Sequence, residues 1–264
     1  MTNLISQAFK NDEKKLVTFV TGGDPDFETS LQIIKTIINN GADIIEIGMP
    51  FSDPMADGPT IQLSSNRAIS KGIDLEIIFS LASEVKKTKN DLPIILMGYY
   101  NLILYFGIEK FVKKCKENGV DGLIIVDLQP EEDEDLINEL KKNEIDLIRL
   151  ITPTTDEQRL KLILKNASGF LYYVSVMGIT GQKSADLKEL KKSVAFIKKH
   201  TNLPVVPGFG IKNSTDVSNI CKMADGAVVG SSIIKIIEEN LNNKDKMLSE
   251  INKFSKDLKD GTKV

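Results

Sequence analysis

The chain has 264 residues, a formal net charge of −3 and an ordinary apolar share of 41%, enough for one large domain with a sizeable core. Lysines spread along the chain give no footprint for nucleic acid or an anionic membrane surface. Cys115 and Cys221 stand alone and His200 is the only histidine, which excludes a disulfide framework and argues against Ser–His, Cys–His or His-ligated metal chemistry. No apolar run approaches the roughly 20 residues of a membrane span, and the start carries no signal-peptide pattern, so a cytoplasmic protein is expected.

Strand-like and helix-like segments alternate. Leu16–Thr21 is a short apolar run stopped by the turn cluster Gly22-Gly23-Asp24-Pro25, and Phe27–Asn39 has apolar residues at helical spacing. Ile44–Gly48 is the second strand. A short helix over Thr60–Ser70 follows, then a second helix capped by Asp74 and reaching Thr88. Pro93–Gly98 is the third strand, Tyr99-Tyr100-Asn101 a loop and Ile108–Glu117 a helix. Gly122–Asp127 is the fourth strand and Glu131–Lys142 a helix. Its EEDED start and lysine end read as a solvated face that complements the macrodipole. Asp146–Ile151 is the fifth strand, with a helix from Asp156 to Lys165, and Gly169–Val174 the sixth, with a helix over Leu187–His200. Leu203–Pro207 is the seventh, with a helix over Thr215–Met223, and Gly226–Val229 the eighth, before helices at Ile233–Leu241 and Met247–Leu258.

Eight buried strands, each followed by an amphipathic helix, imply a parallel sheet closed on itself. The expected fold is α/β, a single (β/α)8 TIM barrel over residues 1–264. Extra helices are expected at the N-terminus and in the connections after strands 2 and 8. An open doubly wound sheet is the competitor, but the first turn lacks the GxGxxG fingerprint.

The stretch Asp43–Gln62 organises the chain. In its strand Ile44, Glu46 and Gly48 face one way and Ile45 and Ile47 the other. A glutamate in an apolar strand is costly to bury as an anion, so its pKa rises and it becomes a candidate acid or base. The loop that follows holds Asp53 and Asp57 among prolines. On the second half of the barrel three glycine loops fall at strand ends, where barrel chemistry sits: Gly178–Gly181, Gly208–Ile211 and Gly230–Ser232. Together they suit a phosphate monoester held by backbone N–H groups, with Lys183 nearby.

The stretches IEIGMPFSDPMADGPTIQ (Ile45–Gln62), FVTGGDP (Phe19–Pro25), GITG with Tyr172 upstream, PGFGI (Pro207–Ile211) and VVGSS (Val228–Ser232) resemble the tryptophan synthase alpha subunit family over nearly the whole chain. The resemblance implies retro-aldol cleavage of indole-3-glycerol phosphate to indole and glyceraldehyde 3-phosphate, with no metal or cofactor in this chain. Glu46 would be the acid/base, Asp57 would hold the indole N–H and stay ionised on a mobile loop, and Tyr172 would contact the substrate. Phe19, Ile61, Tyr99 and Ile211 would line the indole pocket. The phosphate would rest on Gly181, Gly210, Gly230 and Ser231, and Thr180 would also bind the substrate.

The resemblance also implies a pyridoxal-phosphate beta subunit as partner in an αββα heterotetramer. It would dock around Pro50–Pro54, Tyr100–Asn101 and the turn after Asp127. Two positions depart from the family pattern: Gln129, where the family often has Pro, and Val176-Met177, where some members carry Arg. Residues alone leave other readings open: a sugar-phosphate isomerase or epimerase barrel, a non-catalytic activating subunit, or a stand-alone lyase that releases indole.

Overall fold

The computed structural model of the chain describes residues 3–174, 183–208 and 210–264. All the strand pairs are parallel: β1 (Lys15–Thr21), β2 (Ile44–Gly48), β3 (Ile94–Gly98), β4 (Gly122–Ile125), β5 (Asp146–Leu147), β6 (Arg149–Ile151), β7 (Leu171–Val174), β8 (Val205–Gly208) and β9 (Gly226–Val229). Their order, β5-β4-β3-β2-β1-β9-β8-β7-β6, runs around a barrel whose two ends are consecutive in the chain. The expected single fifth strand is therefore two pieces. Its first half pairs with β4 and its second with β7, and Ile148 between them still donates its N–H to Leu123 O at 2.9 Å.

The helices are α1 (Leu4–Ala8), α2 (Phe27–Asn39), α3 (Pro59–Ser70), α4 (Leu75–Thr88), α5 (Tyr100–Phe106), α6 (Ile108–Glu117), α7 (Glu134–Asn143), α8 (Glu157–Leu164), α9 (Lys183–Lys198), α10 (Ser214–Cys221), α11 (Ser231–Glu239) and α12 (Lys244–Asp260). The expected extra helices are present: α1, the α3–α4 pair after β2, and α12 after α11. The foreseen cap also forms, with Asp74 accepting from Ile77 N at 2.9 Å. A further helix, α5, follows β3, where none was expected; Gly107, with φ of 91°, separates it from α6. No helix among the described residues is long and apolar enough to cross a membrane.

The acidic run is more structured than expected. Pro130–Glu132 is a 3-10 turn, and Asp133 is buried and ion-paired with Arg149 rather than solvated.

Alternation along the strands makes two apolar layers. Inside the ring lie Val17, Ile44, Ile95, Ile124, Ile148, Val206 and Val228, closed at the bottom by Ile5 of α1 and Phe170. Between ring and helices lie Leu16, Ile45, Ile47, Ile94, Leu123 and the buried helix faces. Each such side chain contributes about 1.5–3 kcal/mol by leaving water.

One buried polar tie positions the helix that follows the Asp57 loop. Asp24, after β1, accepts from Ser64 Oγ at 2.5 Å and takes a bidentate Arg67 (Nε and Nη2 each at 2.8 Å), both from α3. Its side chain is shut off from water, so removing it strands a guanidinium and a hydroxyl. Asp24→Ala should cost about 3–5 kcal/mol in urea unfolding, the range for breaking such a pair from one side; a loss under about 1 kcal/mol would show that the tie is dispensable.

Candidate active site

Glu46 lies at the centre of β2, in register with Phe19 of β1 and Ile95 of β3. It shares the interior face with Ile44, while Ile45 and Ile47 pack outward. The side chain is fully buried, and among the described residues neither carboxylate oxygen has a hydrogen-bond partner. Burial raises its pKa from 4.5 to about 8, so the carboxyl carries a proton at neutrality that it can release.

The loop from Phe51 to Gly58 brings Asp57 over the barrel mouth. A turn closes it, with Asp57 N donating to Pro54 O at 3.0 Å, and Gly58 and Pro59 start α3 directly after it. Gln62 Nε2 donates to Asp57 O at 2.8 Å. Tyr99 braces the loop from below: its hydroxyl accepts from Ala56 N at 3.0 Å and its ring lies 5.2 Å from that of Phe51. Burial pushes the Asp57 pKa up and a hydrogen bond with Tyr99 partly offsets this, while burial and the neighbouring carboxylates push Tyr99 to about 12.

Two adjoining chambers open here, sharing Ala56, Asp57, Met97, Tyr172 and Val174. The first, about 500 Å³, is lined further by Phe19, Ile61, Gly210, Ile211, Gly230 and Ser231, so seven predicted residues besides Asp57 meet in one space once Tyr172 is included. Tyr172 fits because residue 208 is glycine: a Cβ there would sit 2.2 Å from the tyrosine hydroxyl oxygen. Burial first, then the negative charges of Glu46 and Asp57, hold its phenol protonated far beyond the usual range. Gly230 caps α11 without a side-chain bond, leaving the first N–H groups of that helix available to an anion, and Ser232 Oγ ties the helix to Ile211 O at 2.5 Å.

Two predicted positions differ. Tyr99, expected as pocket lining, is buried behind the loop and acts through Ala56, because α5 starts beside it and turns its ring under Phe51. Glu46 reaches neither chamber wall and lies within the packed interior. Thr180 and Gly181 lie outside the described residues.

The second chamber, about 530 Å³, went unread in the sequence. Its walls include Val126, Leu128, Gln129, Arg149, Leu150, Thr152 and Arg159. Strand alternation carried the signal for part of it: Met97 and Leu150 stand two residues beyond the interior Ile95 and Ile148. Among the described residues no group of three or more His, Cys, Asp or Glu side chains gathers as a metal would require.

The buried carboxyl has a consequence for stability. The folded chain holds the Glu46 proton up to about pH 8, whereas the unfolded chain loses it near 4.5. The native state therefore binds more protons between those values, and stability falls as pH rises across the window. Glu46→Gln lacks this proton exchange, so its urea midpoint should gain on that of the parent chain between about pH 5 and about pH 8.5. Parallel pH curves would show that burial leaves the carboxyl unshifted.

Comparison with known proteins agrees with this geometry. The family described as Tryptophan synthase alpha chain matches residues 5–263. A tryptophan synthase alpha chain from Petrotoga mobilis is 47% identical over 255 residues, 97% of this chain and 98% of the relative. Among solved structures, tryptophan synthase subunit alpha from Legionella pneumophila superposes with a TM-score of 0.92 at 34% identity, covering 99% of both chains. A chain from Aquifex aeolicus does so with 0.89 at 39%, covering 98% of this chain and 99% of that one. The barrel and the match along almost the whole length place this chain in the tryptophan synthase alpha chain family.

Proposed function

We propose that the chain cleaves indole-3-glycerol phosphate to indole and glyceraldehyde 3-phosphate, with Glu46 as acid/base and Asp57 as the group that stabilises the ring. The observation that carries this reading is Glu46, a carboxyl with a pKa of about 8 and no hydrogen-bond partner among the described residues, in the interior of a barrel whose chamber is lined by a second carboxyl group, Asp57. A carboxyl poised near neutrality can both give and take a proton.

Protonated Glu46 delivers its proton to indole C3, which makes the ring a cationic indolenine. The Glu46 carboxylate then takes the proton of the hydroxyl on the carbon bonded to C3. That carbon–carbon bond breaks, the hydroxyl becomes the aldehyde, and the electron pair returns to the ring. Glu46 ends as it began. The ionised form of Asp57, held in place by the braced loop, accepts from the indole N–H and stabilises the positive charge where it develops. Because the oxygens of Glu46 hold no hydrogen bond, the side chain can swing toward the chamber without breaking one.

Tyr172, with Phe19, Ile61 and Ile211, packs the indole. Gly210, Gly230 and Ser231 take the phosphate at the start of α11. The partner is a beta subunit carrying pyridoxal phosphate, in an αββα assembly in the cytoplasm that receives indole from this chain. Its docking surface is supported by apolar side chains left in water, Met55 of the Asp57 loop at 81% exposed and Tyr105 of α5 at 93%.

Indole release from indole-3-glycerol phosphate, measured with and without a beta subunit, tests the reading. Release should be slow alone and rise many-fold with the partner; fast release alone would indicate a stand-alone lyase, and none under either condition would reject the reaction. Glu46→Gln should remove turnover while substrate still binds. Gly208→Ala, which forces the Tyr172 ring aside, should lower turnover up to about 100-fold with the fold intact; an unchanged rate would take Tyr172 out of the site.

A further inference from the structure

Arg149 is a cation in β6 with almost all of its side chain buried, beside the second chamber. Burial first, and then the charge of Arg159, lowers its pKa to about 10, yet it remains charged at neutrality. Breaking a buried ion pair from one side is strongly destabilising.

The partners of Arg149 belong to one loop. Arg149 Nη1 donates to Leu128 O at 3.1 Å and the guanidinium ion-pairs with Asp133, so both ends of Leu128–Asp133 are gripped from β6. Arg159 of α8 grips the middle through the side chains of Gln129 and Glu131. The same loop begins with Asp127, whose Oδ1 accepts from Tyr100 N at 2.8 Å. Tyr100 opens α5, and Tyr99 immediately before it holds Ala56 N and Asp57.

We propose that Arg149 is a positioning residue for the cleavage: it anchors the loop after β4, which through Asp127 and Tyr99 fixes Asp57 over the chamber. The inference rests on the role given to Asp57 above. Both cations on this wall are matched by carboxylates, Arg149 by Asp133 and Arg159 by Glu131, so the wall holds its shape without drawing an anion into the chamber.

A double-mutant cycle tests it, with Arg149→Met, Tyr99→Phe and the double variant assayed for indole release with the full chain. Each single variant should lower kcat about tenfold, and the double variant should lose no more than the worse single one, because both cut one relay. A double loss equal to the product, about 100-fold, would overturn the proposal; that is the result expected if Arg149 merely lowers the amount of folded enzyme. Arg149→Lys, which keeps the charge opposite Asp133, should recover part of kcat, and a rate as low as that of Arg149→Met would count against it.

Should Arg149→Met fail to fold, the exposed Asp127 gives a second cycle through the same relay. Asp127→Ala with Tyr99→Phe should likewise be non-additive, and additivity there overturns the proposal. Asp57→Asn run alongside separates the two readings. Retained turnover would reject the role of Asp57, and the cycles would still decide whether Arg149 and Tyr99 act as one unit.

Discussion

In a closed ring of parallel strands every second side chain is committed to the interior, and nothing inside can be solvated at will. This constraint governs the molecule. Ile44 and Glu46 share a face, so the register that buries the isoleucine also strips water from the glutamate. A slip of one residue would present Ile45 and Ile47 instead. The altered acidity of Glu46 is thus set by sheet geometry, and no neighbouring charge is needed to produce it.

The remaining parts of the site are arranged around that buried group by contacts that leave space as much as they fill it. Gly208 leaves room for the Tyr172 ring, and Gly48 does the same for Phe19, whose ring atoms would lie 2.6 Å from a Cβ. The Asp57 loop is held between two anchors on different strands' connections, Asp24 through α3 and Tyr99 through Ala56. Rigid walls and a supported loop are what a reaction with little covalent involvement of the protein requires.

Much of this was legible from residue pattern. Ile44–Gly48, Phe27–Asn39, Ile108–Glu117 and Gly226–Val229 have the bounds that periodicity and turn residues indicated, because burial is one-sided or complete there and the stops are glycine or asparagine. Elsewhere tertiary partners decided. Asp133 read as one more charge in a solvated run, and only the fold places Arg149 beside it. The family resemblance puts Tyr99 in the pocket, and its neighbours Phe51 and Ala56 belong to a loop whose path no local rule gives. The second chamber escaped notice because its walls come from the connections after β2, β4 and β6, each unremarkable alone.

The split fifth strand gives the ring a seam. Asp146–Leu147 is bonded to one neighbour and Arg149–Ile151 to the other, so around Ile148 the cylinder is joined by very few backbone bonds. A ring under thermal load parts first where it is most thinly stitched. That place lies in the wall of the second chamber, between Leu128 and Val126 on one side and Leu150 and Tyr172 on the other. The thinnest join in the ring therefore lies beside the second chamber, while the strands that carry Glu46 and Phe19 are joined by the longest ladder among the described strands.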